Sequence, residues 1–168
     1  GDNIWLRDRH GCRTPMQWSA VKNGGFSMAE DPYLPVNEDD VFGYQMVNVA
    51  AQEDDPESLL WATRFLLRAR RKQLALRQKQ MEMLAVDNPA ILAYWRVTDI
   101  DGEEERLLCL YNLSEQQQSL ALDLGSYKGL GLIDLLADVH RIIITEWPVV
   151  INLAGYSSHW FRLQIGPS

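Results

Sequence analysis

The chain has 168 residues, room for one full domain or one domain and part of another. Hydrophobic residues make up 46% and charged residues 23%, a balance that can bury a core and that excludes wholesale disorder. The net charge of −7 argues against nucleic acid or an anionic membrane surface as partner, and no apolar run approaches the roughly 20 residues that span a bilayer.

Two cysteines, Cys12 and Cys109, are too few for a disulfide framework. Both read as reduced thiols, which predicts a cytoplasmic chain. The first residues carry no leader-like pattern. Neither cysteine has a His or a second Cys at ligand spacing, and no stretch has the spacing of a calcium loop, so no metal and no cofactor is expected.

Charge divides the chain into three blocks. Residues 1–55 carry ten acids and four bases, residues 56–79 one acid and seven bases, and residues 80–168 twelve acids and five bases. Residues 1–54 show little periodicity, because Pro15, Pro32, Pro35 and five glycines interrupt them. Such a stretch is predicted to be irregular loop, facing a ligand or a larger neighbour on which it packs.

Asp55-Pro56-Glu57 has the chemistry of a helix start, with Asp as N-cap and Pro at the first helical position. Leu59, Leu60, Thr63, Leu66, Leu67 and Leu74 then recur at helical spacing, which predicts a helix over about 56–77. Arg64, Arg68, Arg71 and Lys72 occupy its other face as a solvated basic stripe.

From about residue 83 the texture changes to short apolar runs at 91–97, 106–113, 119–124, 132–136, 141–145, 149–153 and 158–165. Turn residues separate them: Asn88-Pro89, Asp101-Gly102, Gly125, Gly129, Pro148 and Gly155. Seven strands so spaced predict an antiparallel β-sandwich over 81–168. Glu103-Glu104-Glu105 reads as a solvated hairpin tip. The fold class expected is therefore mainly β with one long helix.

The run Arg13-Thr14-Pro15-Met16-Gln17-Trp18, then Asn23-Gly24-Gly25-Phe26, then Tyr44-Gln45-Met46-Val47-Asn48-Val49 with Gln52, and a helix holding Arg70-Arg71-Lys72, resembles the α-amylase family of glycoside hydrolases. The likeness is greatest to its oligo-1,6-glucosidase and trehalose synthase branch. Gly1-Asp2-Asn3-Ile4, Phe42-Gly43-Tyr44-Gln45 and Gly155-Tyr156 with Trp160-Phe161-Arg162-Leu163 are most similar to the trehalose synthase side. Ala29–Val36 is shorter than the branch leads one to expect.

The resemblance implies a (β/α)8 barrel with a C-terminal β-sandwich. Residues 1–80 would be the end of the catalytic barrel, an irregular loop over 1–54 and the barrel's last helix, and 81–168 the sandwich. It also implies that the nucleophilic Asp, the acid/base Glu, a third Asp and a His-Asp pair lie upstream of Gly1. The chain then reads as the C-terminal part of a larger enzyme, which interconverts maltose and trehalose by α-glucosyl transfer, and as inactive alone. Its partners would be maltose or trehalose in the intact enzyme, the barrel portion of the same protein, and a second copy in a homo-oligomer.

Arg13 is the candidate substrate-binding residue. By resemblance it lies beside the sugar subsite at the non-reducing end, where a planar fork of donors holds a carboxylate and sugar hydroxyls together. No catalytic residue is assigned, since Asp39-Asp40 and Asp54-Asp55 are sequence neighbours and do not form the spaced pair that retaining glycoside chemistry needs. Trp18 either lines the pocket or packs the loop, Asn23-Gly24-Gly25 is a turn, and Tyr44, Asn48 and Gln52 are structural handles. His10 beside Cys12 makes no metal site. Two other readings stay open: a related α-glucosidase, and a carbohydrate-binding module whose aromatics come from Tyr94, Trp95, Tyr111, Trp147, Tyr156 and Trp160.

Overall fold

A computed structural model describes residues 13–100, 103–137 and 141–164. Trp5, His10, Cys12, the Gly1–Ile4 motif and the Asp101-Gly102 turn lie outside the described residues. The chain divides into two compact units, Gly1–Phe65 and Leu66–Ser168.

In the first unit the long loop is irregular, as its prolines and glycines dictate. Among its described residues it holds a short 3-10 turn at Lys22–Gly25 and a short helix, α1 (Val49–Asp54). Asn23, Gly24 and Gly25 take φ of 56°, 65° and 69°, a left-handed run that glycine makes inexpensive. The buried Asn23 amide completes the turn by donating to the Ser27 and Ala29 carbonyls at 3.1 and 2.7 Å. Asn48 caps α1: its Oδ1 accepts from the Ala51 N–H at 2.9 Å, and its Nδ2 donates to the Tyr44 carbonyl.

The predicted long helix occupies Leu59–Lys72 (α2), shorter at both ends than the apolar spacing implies. At the start, Asp55 accepts from the Glu57 N–H inside a turn, and Ser58 takes the N-cap place. Its hydroxyl accepts from the Trp61 N–H, its carbonyl from Ala62, and the Gln52 side chain accepts from the Leu60 N–H at 3.0 Å. At the other end the chain leaves the helix because Ala75 is held elsewhere. Its N–H donates to Glu105 Oε1 at 2.9 Å and its carbonyl accepts from Arg96 Nε. Tertiary bonds here override a sequence that would continue the helix. No residue of α2 is buried, and Leu59, Phe65, Leu66 and Leu67 stay exposed.

Eight strands follow: β1 (Met81–Met83), β2 (Ile91–Ile100), β3 (Glu103–Asn112), β4 (Gln118–Leu122), β5 (Gly131–Asp134), β6 (Arg141–Ile143), β7 (Val149–Leu153) and β8 (Ser158–Gln164). Each of the seven expected runs contains a strand, and β1 is one that no apolar pattern announced, since its three residues are all exposed. All pairings are antiparallel. Six strands form one sheet in the order β1-β2-β3-β8-β5-β6, and β4 pairs with β7 in a second.

Alternation along the strands sorts side chains between two faces. Trp95 and Val97 of β2, Leu108 and Leu110 of β3, Leu132 of β5, Leu120 and Leu122 of β4, Ile151 and Leu153 of β7 and Phe161 of β8 share one core between the sheets. Leu107 and Cys109 point to the other face of the six-stranded sheet, where Ala75 packs. Burial pushes the Cys109 thiol up to about 11, so it is protonated and inert at neutral pH.

The two sheets are tied at one end by Asn112. Its buried amide donates to the carbonyls of Gln116, Leu153 and Ala154, and its Oδ1 accepts from Ser114. The turn beyond β7 needs a glycine there: a Cβ on Gly155 would fall 1.8 Å from the Glu115 carbonyl oxygen. The acidic tip of the β2–β3 hairpin is not wholly solvated, because Glu105 holds Ala75 and Glu104 pairs with Arg106.

Candidate functional site

The Arg13–Trp18 run is fastened to the 42–50 stretch. The Val49 N–H donates to the Gln17 carbonyl at 2.9 Å and the Ala50 N–H to the Trp18 carbonyl at 3.0 Å. The Gln17 side-chain amide donates to the carbonyls of Phe42 and Val47. Trp18 and Ser19 N–H groups both donate to the Gly24 carbonyl, so the glycine turn closes the same loop. Gln17 thus serves as a loop clamp, a role that its backbone carbonyl partners explain.

This clamping makes Thr14, Pro15 and Met16 a common wall between two recesses. One, of about 250 Å³, is completed by Gln17, Val47, Asn48, Val49 and Gln52. The other, of about 350 Å³, is completed by Arg13, Phe26, Pro32, Tyr33 and Leu34. Arg13 is exposed and lines the second recess, whose other residues are mainly apolar apart from the Thr14 and Tyr33 hydroxyls. A guanidinium beside Phe26 and Tyr33 offers planar donors next to ring faces, a combination that suits a sugar's hydroxyls and C–H face.

Trp18 stands half exposed, its backbone bonded and its ring lining neither recess. Tyr44 and Asn48 are buried and structural, and Gln52 links α1 to the first turn of α2 through its side chain and its carbonyl. The adjacent acids serve the backbone. Asp39 Oδ1 accepts from the Val41 and Phe42 N–H groups, which holds its carboxyl below the usual range, and Asp55 is used in its turn. Among the described residues, no group of three or more His, Cys, Asp or Glu is placed to hold a metal ion, and no helix is long and apolar enough to cross a membrane.

The aromatics of the β region divide as their alternation predicts. Trp95 is buried in the core, and Tyr94, Tyr111 and Trp160 form a bonded group on the other face of the sheet. Trp160 Nε1 donates to the Tyr111 hydroxyl at 2.7 Å. Trp147 and Tyr156 remain exposed. A buried carboxylate–imidazole contact that sequence spacing could not reveal joins β5 to β8. His159 Nδ1 lies 2.6 Å from Asp134 Oδ2, and Asp134 also accepts from the Leu136 and Trp160 N–H groups. Burial would raise the Asp134 carboxyl, but these bonds outweigh it and hold the group below its ordinary value.

Comparison with known proteins gives two adjoining family matches. Residues 3–79 match the alpha amylase catalytic domain, and residues 81–160 the maltogenic amylase C-terminal domain. A trehalose synthase of Pimelobacter sp. is 43% identical over 165 residues, covering 97% of this chain and 29% of that protein. A trehalose synthase/amylase of Mycobacterium tuberculosis is 42% identical over 166 residues, covering 97% of this chain and 27% of its own length. Relatives named α-glucosidase or glucan 1,6-α-glucosidase match at 30–34%. Among solved structures, the trehalulose synthase of Pseudomonas mesoacidophila superposes with a TM-score of 0.67 at 25% identity, over 96% of this chain and 27% of that one. The chain spans under a third of the length of these relatives. It is thus related, over nearly its whole length, to the C-terminal portion of the trehalose synthases of the α-amylase family.

Proposed function

We propose that this chain serves a trehalose synthase-like enzyme that interconverts maltose and trehalose by intramolecular α-glucosyl transfer. The glucosyl unit leaves O4 of the second glucose, rests on an enzyme carboxylate, and returns to O1 of the same glucose. The observation that carries this reading is the higher identity to relatives named trehalose synthase than to those named as glucosidases. Retaining chemistry of this kind uses two carboxylates about 5–5.5 Å apart. In this reading they belong to the part of the enzyme that precedes the matched segment.

Residues 1–80 then form the closing part of the barrel, with α2 as its last helix, and the β-strand region braces it. The exposed apolar side chains of α2 support that assignment, since a lone helix of this kind has no reason to present Phe65, Leu66 and Leu67 to water. Arg13 is the residue that meets substrate, pairing with an upstream carboxylate and donating to hydroxyls of the transferred glucose.

A chimera tests both parts. The matching stretch of the Pimelobacter trehalose synthase is replaced by this chain, and maltose and trehalose are assayed in both directions. The chimera is expected to interconvert them. Arg13→Ala is expected to lower kcat/KM about 10²-fold, the loss typical of one charge-stabilising donor, and Arg13→Lys to restore little of it. Full activity of Arg13→Ala would sink the assigned role of Arg13. A chimera that only released glucose from maltose would move the reading to an α-glucosidase.

A further inference from the structure

The β-strand region carries a cleft that the Arg13 loop has no part in. It measures about 430 Å³ and lies where β1, β2 and β3 face the Ala121–Tyr127 segment. Trp95 and Tyr127 meet at its floor, with ring centroids 5.5 Å apart and planes tilted by 52°. Arg106, Glu82, Asp123 and Ser126 supply its polar lining. Glu82 pairs in register with Trp95, so both point to the face of the sheet opposite the one on which Ala75 packs.

The chemistry of the lining selects the occupant. Two carboxylates, Glu82 and Asp123, stand against one guanidinium, Arg106, so phosphate or sulfate groups would be repelled. Carboxylates accept, the guanidinium donates, and ring faces take C–H groups, which is the set that a neutral polyhydroxylated ligand needs. The polar groups are also held in place before anything binds. Arg106 pairs with Glu104 and lies 3.6 Å from Glu82, and Asp123 Oδ1 accepts from the Gly125 N–H at 3.1 Å. Such preorganisation reduces the entropy lost on binding.

An exposed ring stands near the Asp123 side of the cleft. A Cβ placed on Gly125 would lie 3.3 Å from Asp123 Oδ1 and 3.4 Å from Trp147 Cδ2, so Gly125 stands between the indole and the Asp123 carboxylate, which are less than about 7 Å apart. Trp147 is 51% exposed, and the Lys128 ammonium lies 5.3 Å from its ring centroid. Near the cleft there is therefore an exposed aromatic ring with an ammonium donor beside it.

We propose that this cleft, with Trp147 near it, binds a neutral oligosaccharide. The site needs no turnover, so failure of the glucosyl-transfer reading would leave it standing. The test is titration of the 168-residue chain with maltoheptaose, cellohexaose and a heparin hexasaccharide, followed by calorimetry and by amide and indole NMR shifts. One of the neutral sugars is expected to bind in the millimolar range, with shifts centred on Gly125–Lys128 and the Trp147 indole. Trp147→Ala is expected to weaken binding about tenfold, the loss of one stacked ring, while Tyr156→Ala leaves it unchanged. Because Trp147 is exposed, the variant's amide spectrum reports directly that the strands are intact. Lys128→Met, which keeps the ring, is expected to retain most of the affinity. No binding of either neutral sugar, affinity unchanged in Trp147→Ala, or tighter binding of the heparin hexasaccharide would each overturn the proposal.

Discussion

Asp134 shows how a single side chain can be legible in composition and invisible in role. It sits in β5, its carboxylate fully buried, and it is satisfied by His159 and by the N–H groups of Leu136 and Trp160. A carboxyl held below its ordinary value of 3.8 binds fewer protons folded than unfolded in that range. Stability from it is therefore complete above about pH 4 and is lost as pH falls through the lowered folded value. Asp134→Asn is expected to cost about 2 kcal/mol at pH 7, the scale of a buried charge-assisted bond, and to flatten the acid limb of the stability profile. Urea midpoints measured from pH 2 to 6 check both, and an unchanged acid limb would remove Asp134 from the account. Arg13 stands at the opposite extreme, exposed and without a buried framework of its own, so the role proposed for it is tested through activity and not through stability.

The element that best separates propensity from placement is α2. Its interior follows from apolar spacing, but its ends follow from partners. Ser58 and Gln52 supply acceptors for the first orphan N–H groups, and Ala75 is drawn off by Glu105 and Arg96. Ser58→Ala removes the cap hydroxyl and is expected to cost about 1 kcal/mol, seen as roughly fivefold faster hydrogen exchange at the Trp61 and Ala62 amides. Equal exchange rates would mean that Gln52 caps the helix by itself. The strands behave differently. Their apolar cores were set by alternation, and the hairpin of β2 with β3 keeps a continuous register from Ile91↔Asn112 to Ile100↔Glu103.

Across the molecule, burial is uneven. Large apolar side chains are buried together in the second unit, from Ile91 to Phe161. Among the described residues of the first unit, Tyr44 is the large apolar side chain that is buried, beside the polar Asn23, Asn48 and Ser58. Hydrogen bonds and turns hold that unit together, and these open with less free energy than a packed core. Amides of Leu107–Leu110 and Ile151–Leu153 are expected to exchange only on global unfolding, and those of Gln17–Ala50 at least 10²-fold faster, a difference of about 2.7 kcal/mol. Matching protection in the two regions would show a core in the first unit that its side chains do not reveal. The relatives, more than three times as long as this chain, offer the physical reason for such an arrangement: a segment rich in exposed Met28, Tyr33 and Phe42 suits a larger neighbour.

Local patterning determined much of this protein. Short apolar runs bounded by turn residues placed seven strands, the Asn23-Gly24-Gly25 signal placed a left-handed turn, and helical spacing placed the body of α2, because each of these depends on neighbours within a few residues. The Arg13–Trp18 run carried the family resemblance by its residue types. What only the tertiary structure decided was pairing across distance. Sequence could not show that Asp134 would meet His159, that Asn112 would bind the end of β7, or that Gly125 would stand between Trp147 and Asp123. It also read Asp55 as the cap that Ser58 became, since both residues have cap chemistry and only the position of α1 chose between them. Contacts between residues tens of positions apart arise from packing of whole elements, and no local pattern records which polar group ends beside which.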